Sequence, residues 1–263
     1  MKALRLAATC ALAMVLLSAG AATAGLNLNG PVHDLLPDVK MARLYGFSIE
    51  TRLNGRIWLH FGTIGWSVGE GPREARGLKV DPNDRYMHVK QRIYDSAGGY
   101  HDRVTPAVMI FDVGDHHNHW HVRNFMVVNM YTVGDPTGNV YGLRKIGYCL
   151  LDFGHMDNPP PNSPPDPVYP LTACGQKDDV KVRMGLSVGY GDDYPPNFAH
   201  QWMDITGLVT GDYRICTTVD PFKEFVESNE NNNQRRTDVH INMATKHVSV
   251  ISSAITACGP EVP

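Results

Sequence analysis

The sequence has few of the features that mark membrane, zinc-finger or nucleic-acid-binding proteins. Beyond residue 24 no apolar run is long enough to span a bilayer, and no segment has the 3.6-residue periodicity of an amphipathic helix. There is no Cys-x-x-Cys pair, which argues against a structural zinc site. The formal net charge is -3, so there is no basic excess for general nucleic-acid binding. We therefore expect neither a membrane span nor a nucleic-acid partner.

Residues 1–24 are typical of a secretory signal peptide. Lys2 and Arg5 precede an apolar run, and Ala22-Thr23-Ala24 fits the small-residue cleavage rule. We expect cleavage near Ala24 and a secreted or periplasmic location. Cleavage removes two of 24 basic residues and none of 27 acidic ones, which leaves 22 - 27 = -5. The remaining residues, about 240, are enough for one all-β domain spanning residues 25–263.

The four cysteines beyond the signal peptide predict disulfides. An even number of cysteines in an exported chain indicates two bridges rather than free thiols. Four cysteines allow three connectivities, and all three stay open on this argument. Residues 158–170 contain seven prolines, too many for a sheet that needs backbone donors. This segment is predicted to be a surface loop inserted within the domain.

Short runs of alternating apolar and polar residues dominate the rest of the chain. Such runs, and two further strand candidates, occupy residues 47–51, 56–61, 86–93, 122–133 and 213–219. Turn signals, including Asn54-Gly55 and Gly98-Gly99, separate them. Period-two alternation broken by turn residues predicts antiparallel strands. We expect an all-β protein, with an antiparallel β-sandwich core and long loops.

Three histidines recur at every second residue, at His117, His119 and His121. Alternate residues of a strand face the same side, so these imidazoles would project together and His116 would point away. The outer two would be about 13 Å apart at the backbone, so the strand must twist or bend for the rings to converge. Three neutral imidazoles without a thiolate suit copper or zinc and leave coordination positions open. The alternative is a solvated histidine-rich strand.

Two further motifs lie downstream of the histidines. One is Lys145-Ile146-Gly147-Tyr148-Cys149-Leu150, and the other is Gly185-Leu186-Ser187-Val188-Gly189 followed by Gln201-Trp202-Met203-Asp204-Ile205-Thr206. Together with the histidine strand they resemble the catalytic domain of the lysyl oxidase family. The resemblance implies copper at the three histidines and a lysyl tyrosylquinone cofactor formed from Lys145 and Tyr194. Tyr190 is the competing tyrosine.

The resemblance also implies a reaction. Members of the family deaminate primary amines oxidatively, including protein or peptide lysine side chains, and use molecular oxygen to give an aldehyde, ammonia and hydrogen peroxide. Asp192 is the implied catalytic base, because it is the acid nearest to Tyr194 that has a counterpart in the family segment. Asp193, the adjacent acid, is the alternative.

The resemblance further implies a calcium site. Its implied ligands are Asp34, Leu35, Glu227, Asn229, Asn232 and Asn233. Hard oxygen ligands suit calcium, and the alternative is an ordinary Asx-rich turn.

The cysteines depart from the family's pattern. Most of the family's other cysteines are absent here, so its disulfide pattern does not transfer. We predict that Cys149 pairs with Cys174 across the proline-rich loop and that Cys216 pairs with Cys258 near the C-terminus.

Two other functions compete with the amine oxidase. Residues 201–233 also resemble secreted immunoglobulin-like adhesion modules, which bind partners without catalysis. That hypothesis leaves the three histidines and Lys145 without a purpose. A zinc hydrolase using the same histidines is the third possibility, and it lacks an obvious nearby glutamate as base.

Overall fold

The computed structural model describes residues 30–114, 118–134 and 142–258, and for residues 142–145 the backbone alone. All elements below belong to the compact unit that begins at Val32. In the described residues this unit contains one short 3-10 helix, Leu171–Cys174, and sixteen strands. The strands are β1 Asp34–Leu35, β2 Val39–Met41, β3 Tyr45–Thr51, β4 Ile57–Ser67, β5 Arg73–Leu78, β6 Tyr86–Asp95, β7 Tyr100–Asp112, β8 His119–Thr132, β9 Gly142–Tyr148, β10 Gly154–His155, β11 Lys181–Leu186, β12 Tyr190–Tyr194, β13 Trp202–Asp204, β14 Gly211–Val219, β15 Gln234–Asn242 and β16 His247–Ile255.

The strands form two antiparallel sheets. The larger has ten strands in the order β11-β5-β6-β7-β8-β14-β15-β16, with β1 beside β6 and β9 beside β8. The smaller has six strands in the order β10-β12-β4-β13, with β2 and β3 also paired to β4. The predicted all-β, antiparallel fold class is therefore confirmed.

Side-chain alternation directs one face of the larger sheet into the core. In β6, Met87 and Val89 are buried while His88 and Lys90 are exposed. The buried residues join one apolar cluster with β4 residues such as Phe61. Burying a side chain of this size contributes about 1.5–3 kcal/mol, so the shared core holds the two sheets together.

Two of the strands begin earlier in the chain than the sequence predicted. The run predicted for residues 122–133 starts at His119, and the run predicted for residues 213–219 starts at Gly211. The proline-rich residues 158–170 contain turns and bends but no strand or helix. Even so, Tyr169 is buried there, and its hydroxyl donates a hydrogen bond to Glu74 at 2.6 Å.

Both predicted disulfides are present. Cys149 is bonded to Cys174 with a Cα–Cα distance of 5.6 Å, and Cys216 to Cys258 with 5.8 Å, both within the usual range. The first bridge ties the end of β9 to the 3-10 helix, and the second ties β14 to the end of the chain after β16. No helix in the described part of the chain has the length and apolar character needed to cross a membrane.

Candidate functional site

Strand β8 positions two of the three predicted histidines. His119 and His121 lie at the start of this strand, and their ring centroids are 4.8 Å apart. His121 is only 1% exposed. His116 and His117 lie outside the described residues. The backbone turns at Asn118, whose φ is 45°, a left-handed conformation that asparagine tolerates. Extended geometry therefore begins at His119 and does not continue back through Asn118.

Asp112, at the end of β7, is the partner of His121. Its Oδ2 atom lies 3.3 Å from Nδ1 of His121 and 3.7 Å from Nε2 of His200. Its Oδ1 atom accepts the Gly114 backbone N–H at 2.7 Å. The adjacent imidazoles of His121 and His200 hold the pKa of Asp112 well below its ordinary value. A carboxylate at Nδ1 leaves Nε2 of His121 as the atom available to a metal.

A small cavity opens beside His121. Its volume is about 210 Å³, and Asp112, Gly147 and His200 contribute to its lining. Gly147 lets β9 lie close to β8 at His121. A Cβ atom at this position would lie 3.1 Å from the Val122 carbonyl oxygen and 3.3 Å from Cβ of His121. Any larger residue would push β9 away from the histidine.

Tyr194 lies at the end of β12 and comes from the smaller sheet. Its ring centroid is 6.3 Å from that of His121, and the ring stacks on Tyr148 at 4.0 Å. Its hydroxyl accepts the backbone N–H of Cys149 at 3.0 Å. Burial and the nearby Asp192 raise the pKa of Tyr194 well above its ordinary value. The phenol is therefore held neutral, in a fixed plane, next to the histidine pair.

Asp192 shares a face of β12 with Tyr194, because the two residues are separated by one position. It is only 2% exposed, and its Oδ2 atom has no hydrogen-bond partner among the described residues. Burial, then the charges of Asp193 and another aspartate, raise its pKa well above the ordinary value. Asp193 instead accepts a hydrogen bond from the Tyr45 hydroxyl. Tyr190, the competing tyrosine, stacks on a different ring, that of His155, at 4.5 Å.

Lys145 lies in β9, where its backbone pairs with that of Val127 in β8. Its side chain is outside the described residues. Cys149, whose N–H contacts Tyr194, follows four residues later, a backbone distance of about 13 Å in an extended strand.

The residues predicted to bind calcium are only partly brought together. Glu227 is buried and receives hydrogen bonds from the Arg73 guanidinium and from Nδ2 of Asn233 at 2.9 Å. Nδ2 of Asn232 donates to Asp38 at 3.0 Å. The side-chain oxygens of Asn232 and Asn233 are buried and accept no hydrogen bond among the described residues.

The other three implied calcium ligands have different surroundings. Asn229 is exposed and caps the Asn231 N–H at 3.0 Å. Asp34 and Leu35 form β1 beside β6, and the Asp34 carboxylate lies 3.6 Å from His101. The calcium site therefore stays a prediction.

Two of the three predicted metal ligands lie together beside this cavity. In the part of the chain that the structure describes, no group of three histidine, cysteine or acidic residues could hold a metal ion. His119 and His121 supply two imidazoles, and the third predicted donor, His117, is outside that part. Imidazole donors without thiolate suit copper or zinc. Sequence reasoning missed Asp112 and His200, because only strand pairing and a distant loop bring them to the histidines.

One comparison with known proteins identifies a family for this chain. A family model described as lysyl oxidase matches residues 112–251, which is 251 - 112 + 1 = 140 of the 263 residues. The matched region begins at Asp112 and contains the histidine run, Lys145 and Tyr194. A search of curated proteins found no match. Because the family model covers more than half of the sequence, the chain belongs to the lysyl oxidase family.

Proposed function

We propose that the protein is a copper- and quinone-dependent amine oxidase. It would convert primary amines, in particular lysine side chains of proteins or peptides, to aldehydes, and release ammonia and hydrogen peroxide. The observation that carries the proposal is the approach of Tyr194 to His121, 6.3 Å between ring centroids, in a buried site. The two residues come from different sheets, so nothing local in the chain requires this approach.

The residues present fit a copper ion. His119 and His121 would hold it with His117, and Asp112 would orient the His121 ring through Nδ1. Copper with molecular oxygen would oxidise the Tyr194 ring, and the quinone formed with Lys145 would supply the electrophilic carbonyl that reacts with the substrate amine. The small cavity beside His121 gives this region access from outside.

The surrounding residues would orient the ring and move protons. Stacking on Tyr148 fixes the plane of the Tyr194 ring, and the Cys149 N–H holds its hydroxyl. Asp192 would take the proton from the substrate carbon through its unpartnered Oδ2 atom. Its raised pKa makes its carboxylate a stronger base than an exposed aspartate. Asp193 is less suitable, because the Tyr45 hydroxyl already binds its carboxylate.

A peptide map of copper-matured protein tests the proposal directly. After full disulfide reduction, digestion should yield one joined peptide containing Lys145 and Tyr194 that reacts with phenylhydrazine to give a coloured product. Maturation without copper, Lys145→Arg and Tyr194→Phe should each abolish the joined peptide. Arginine fails because its guanidinium stays protonated. Tyr190→Phe is the matched control and should keep it.

The opposite result would favour the adhesion module. Two ordinary separate peptides, together with no peroxide release from any primary amine, would contradict the enzyme. The chain would then be a non-catalytic secreted binding module of immunoglobulin-like form.

Two further proposals accompany the enzyme. Export after cleavage near Ala24 is supported by the signal-like residues 1–24. A structural calcium ion is supported by the buried side-chain oxygens of Asn232 and Asn233, which accept no hydrogen bond among the described residues. Carbonyl oxygens of this kind are ligands that calcium prefers.

A further inference from the structure

A row of positive charges crosses the outward face of the larger sheet. Strand register places Arg183 of β11 opposite Arg76 of β5, and Arg76 opposite Lys90 of β6. Directly opposite residues share a face of the sheet. Like charges in such positions destabilise a sheet. The stability of the sheet therefore does not explain why these cations lie side by side.

Carboxylates balance only part of this charge. The cations on this face are Arg76, Lys90, Arg92, Lys181 and Arg183. Glu74 forms ion pairs with two of them, with Arg76 at 2.6 Å and with Arg183 at 3.0 Å. Asp102 accepts two hydrogen bonds from Arg92, from Nε at 2.7 Å and from Nη2 at 2.9 Å. Five cations and two carboxylates leave a local charge of 5 - 2 = +3 on a chain whose net charge is -3.

Two lysines carry most of the unbalanced charge. In the described structure neither Lys90 nor Lys181 forms an ion pair with a carboxylate. Both line a groove of about 690 Å³ on this face. The groove also contains exposed apolar side chains, with Leu78 45%, Val80 77% and Val104 72% exposed.

Cations interspersed with apolar side chains suit one kind of partner. An extended peptide with alternating acidic and apolar residues would match both features, because its side chains repeat at the spacing of a strand. A polysaccharide or nucleic acid would satisfy the charge but would leave the exposed Leu78, Val80 and Val104 without apolar contacts. The groove therefore favours an acidic peptide segment.

This groove and the site at His121 lie on the same face of the same sheet. Val104 of β7 is opposite Lys90, while Ile110 of β7 is opposite His121. Val104 and Ile110 are both exposed, and an even number of positions separates them, so both point outward. β7 bulges between these two residues, so the distance is set by their partners Lys90 and Tyr86, which are four residues apart in β6, about 13 Å of extended strand. Tyr86, 42% exposed and opposite Ile110, lies at the end of this stretch nearest to His121.

We propose that this groove binds an acidic segment of a peptide substrate, about four extended residues from the lysine that enters the site at His121. The inference rests on the proposed function, since it names the substrate class of that same site.

Binding measured without turnover tests the groove. A fluorescent peptide would carry one lysine, three glutamates centred about four residues away and apolar residues between them, and a second peptide would replace each glutamate by glutamine. Fluorescence anisotropy with the copper-loaded mature protein should show tighter binding of the glutamate peptide, weakening as salt is added. The double variant Lys90→Glu/Lys181→Glu should weaken it roughly tenfold or more, since attraction becomes repulsion.

Matched variants keep this test interpretable. Lys246→Glu reverses an exposed lysine in the turn between β15 and β16 and should bind as wild type. Lys90→Gln/Lys181→Gln removes charge without repulsion and should give an intermediate loss. Equal affinity for both peptides, or unchanged binding in the charge-reversed double variant, would overturn the proposal. Tighter binding of a sulfated polysaccharide than of the glutamate peptide would overturn it as well.

Turnover measurements distinguish a failure of the groove proposal from a failure of the enzyme proposal. The ratio of kcat/KM for the glutamate peptide to kcat/KM for butylamine should fall in the charge-reversed double variant by the same factor as binding. Peptides with glutamates ten or twelve residues from the lysine should lose the preference. If wild-type protein fails to oxidise butylamine, the enzyme proposal fails, while the anisotropy measurement still decides whether the groove binds acidic peptides.

Discussion

Asp112 gives the sharpest test of the histidine site. Its carboxylate lies 3.3 Å from Nδ1 of His121, which leaves Nε2 for a metal. Such a partner fixes the tautomer and the ring orientation of a metal-binding histidine. Asp112→Asn keeps the shape and one acceptor oxygen but removes the charge. Asp112→Ala removes the acceptor as well.

The expected size of the effect follows from the loss of this partner. Removing it from a metal-binding histidine costs about 10- to 100-fold in metal affinity, which corresponds to about 1.4–2.7 kcal/mol. We expect the smaller loss for Asp112→Asn and the larger loss for Asp112→Ala. The Gly114 N–H also loses its acceptor in the alanine variant, so the free energy of unfolding should fall by about 1 kcal/mol.

Copper competition against a chromogenic chelator at fixed pH measures the affinity. The matched control is Asp212→Asn, because Asp212 lies 2.6 Å from Nδ1 of His240 in a similar pair on β14 and β15. It should leave the copper dissociation constant unchanged. Paramagnetic resonance of Asp112→Ala should show broadened copper lines, since the His121 ring would adopt more than one orientation. Wild-type affinity and an unchanged spectrum in a folded Asp112→Ala protein would refute the reasoning.

A buried charge, a disulfide and the predicted calcium site give three further tests. Glu74→Gln should lower the free energy of unfolding by about 3 kcal/mol at pH 7. Burial opposes ionisation of Glu74, but Tyr169 and its other hydrogen-bond partners lower its pKa overall. Its contribution should therefore be complete above the unfolded pKa of about 4.3 and lost as the pH falls through the lower folded value; a difference in urea denaturation that stays constant down to pH 2 would contradict this. Cys258→Ser opens the bridge to Cys216, which spans 42 residues, and should cost about 4 kcal/mol in reversible unfolding on the chain-entropy model, whereas an unchanged value would mean that the bridge constrains little. Millimolar calcium should raise the melting temperature of wild type over that in chelator, and less so for Asn233→Ala; no shift in wild type would leave an ordinary Asx-rich turn.

Local sequence pattern was enough for the fold class and for several residues of the site. Strand side chains alternate every second residue, so period-two runs identify strands without any tertiary information. The same period predicted that His119 and His121 would lie together, and their rings are 4.8 Å apart. It could not predict the turn at Asn118, because a positive φ is a property of one residue inside an otherwise regular run.

Only the tertiary structure decided which residues surround those histidines. Asp112 reaches His121 because β7 and β8 pair in one register, and Tyr194 reaches it because the smaller sheet packs there. The row of cations through Arg76 and Lys90 likewise exists only across strands. Register and sheet packing join residues that are far apart in the chain, and no local period encodes that choice. The sequence by itself therefore determined the strands and the histidines proposed to bind metal, while the residues that surround those histidines depend on how the strands pair.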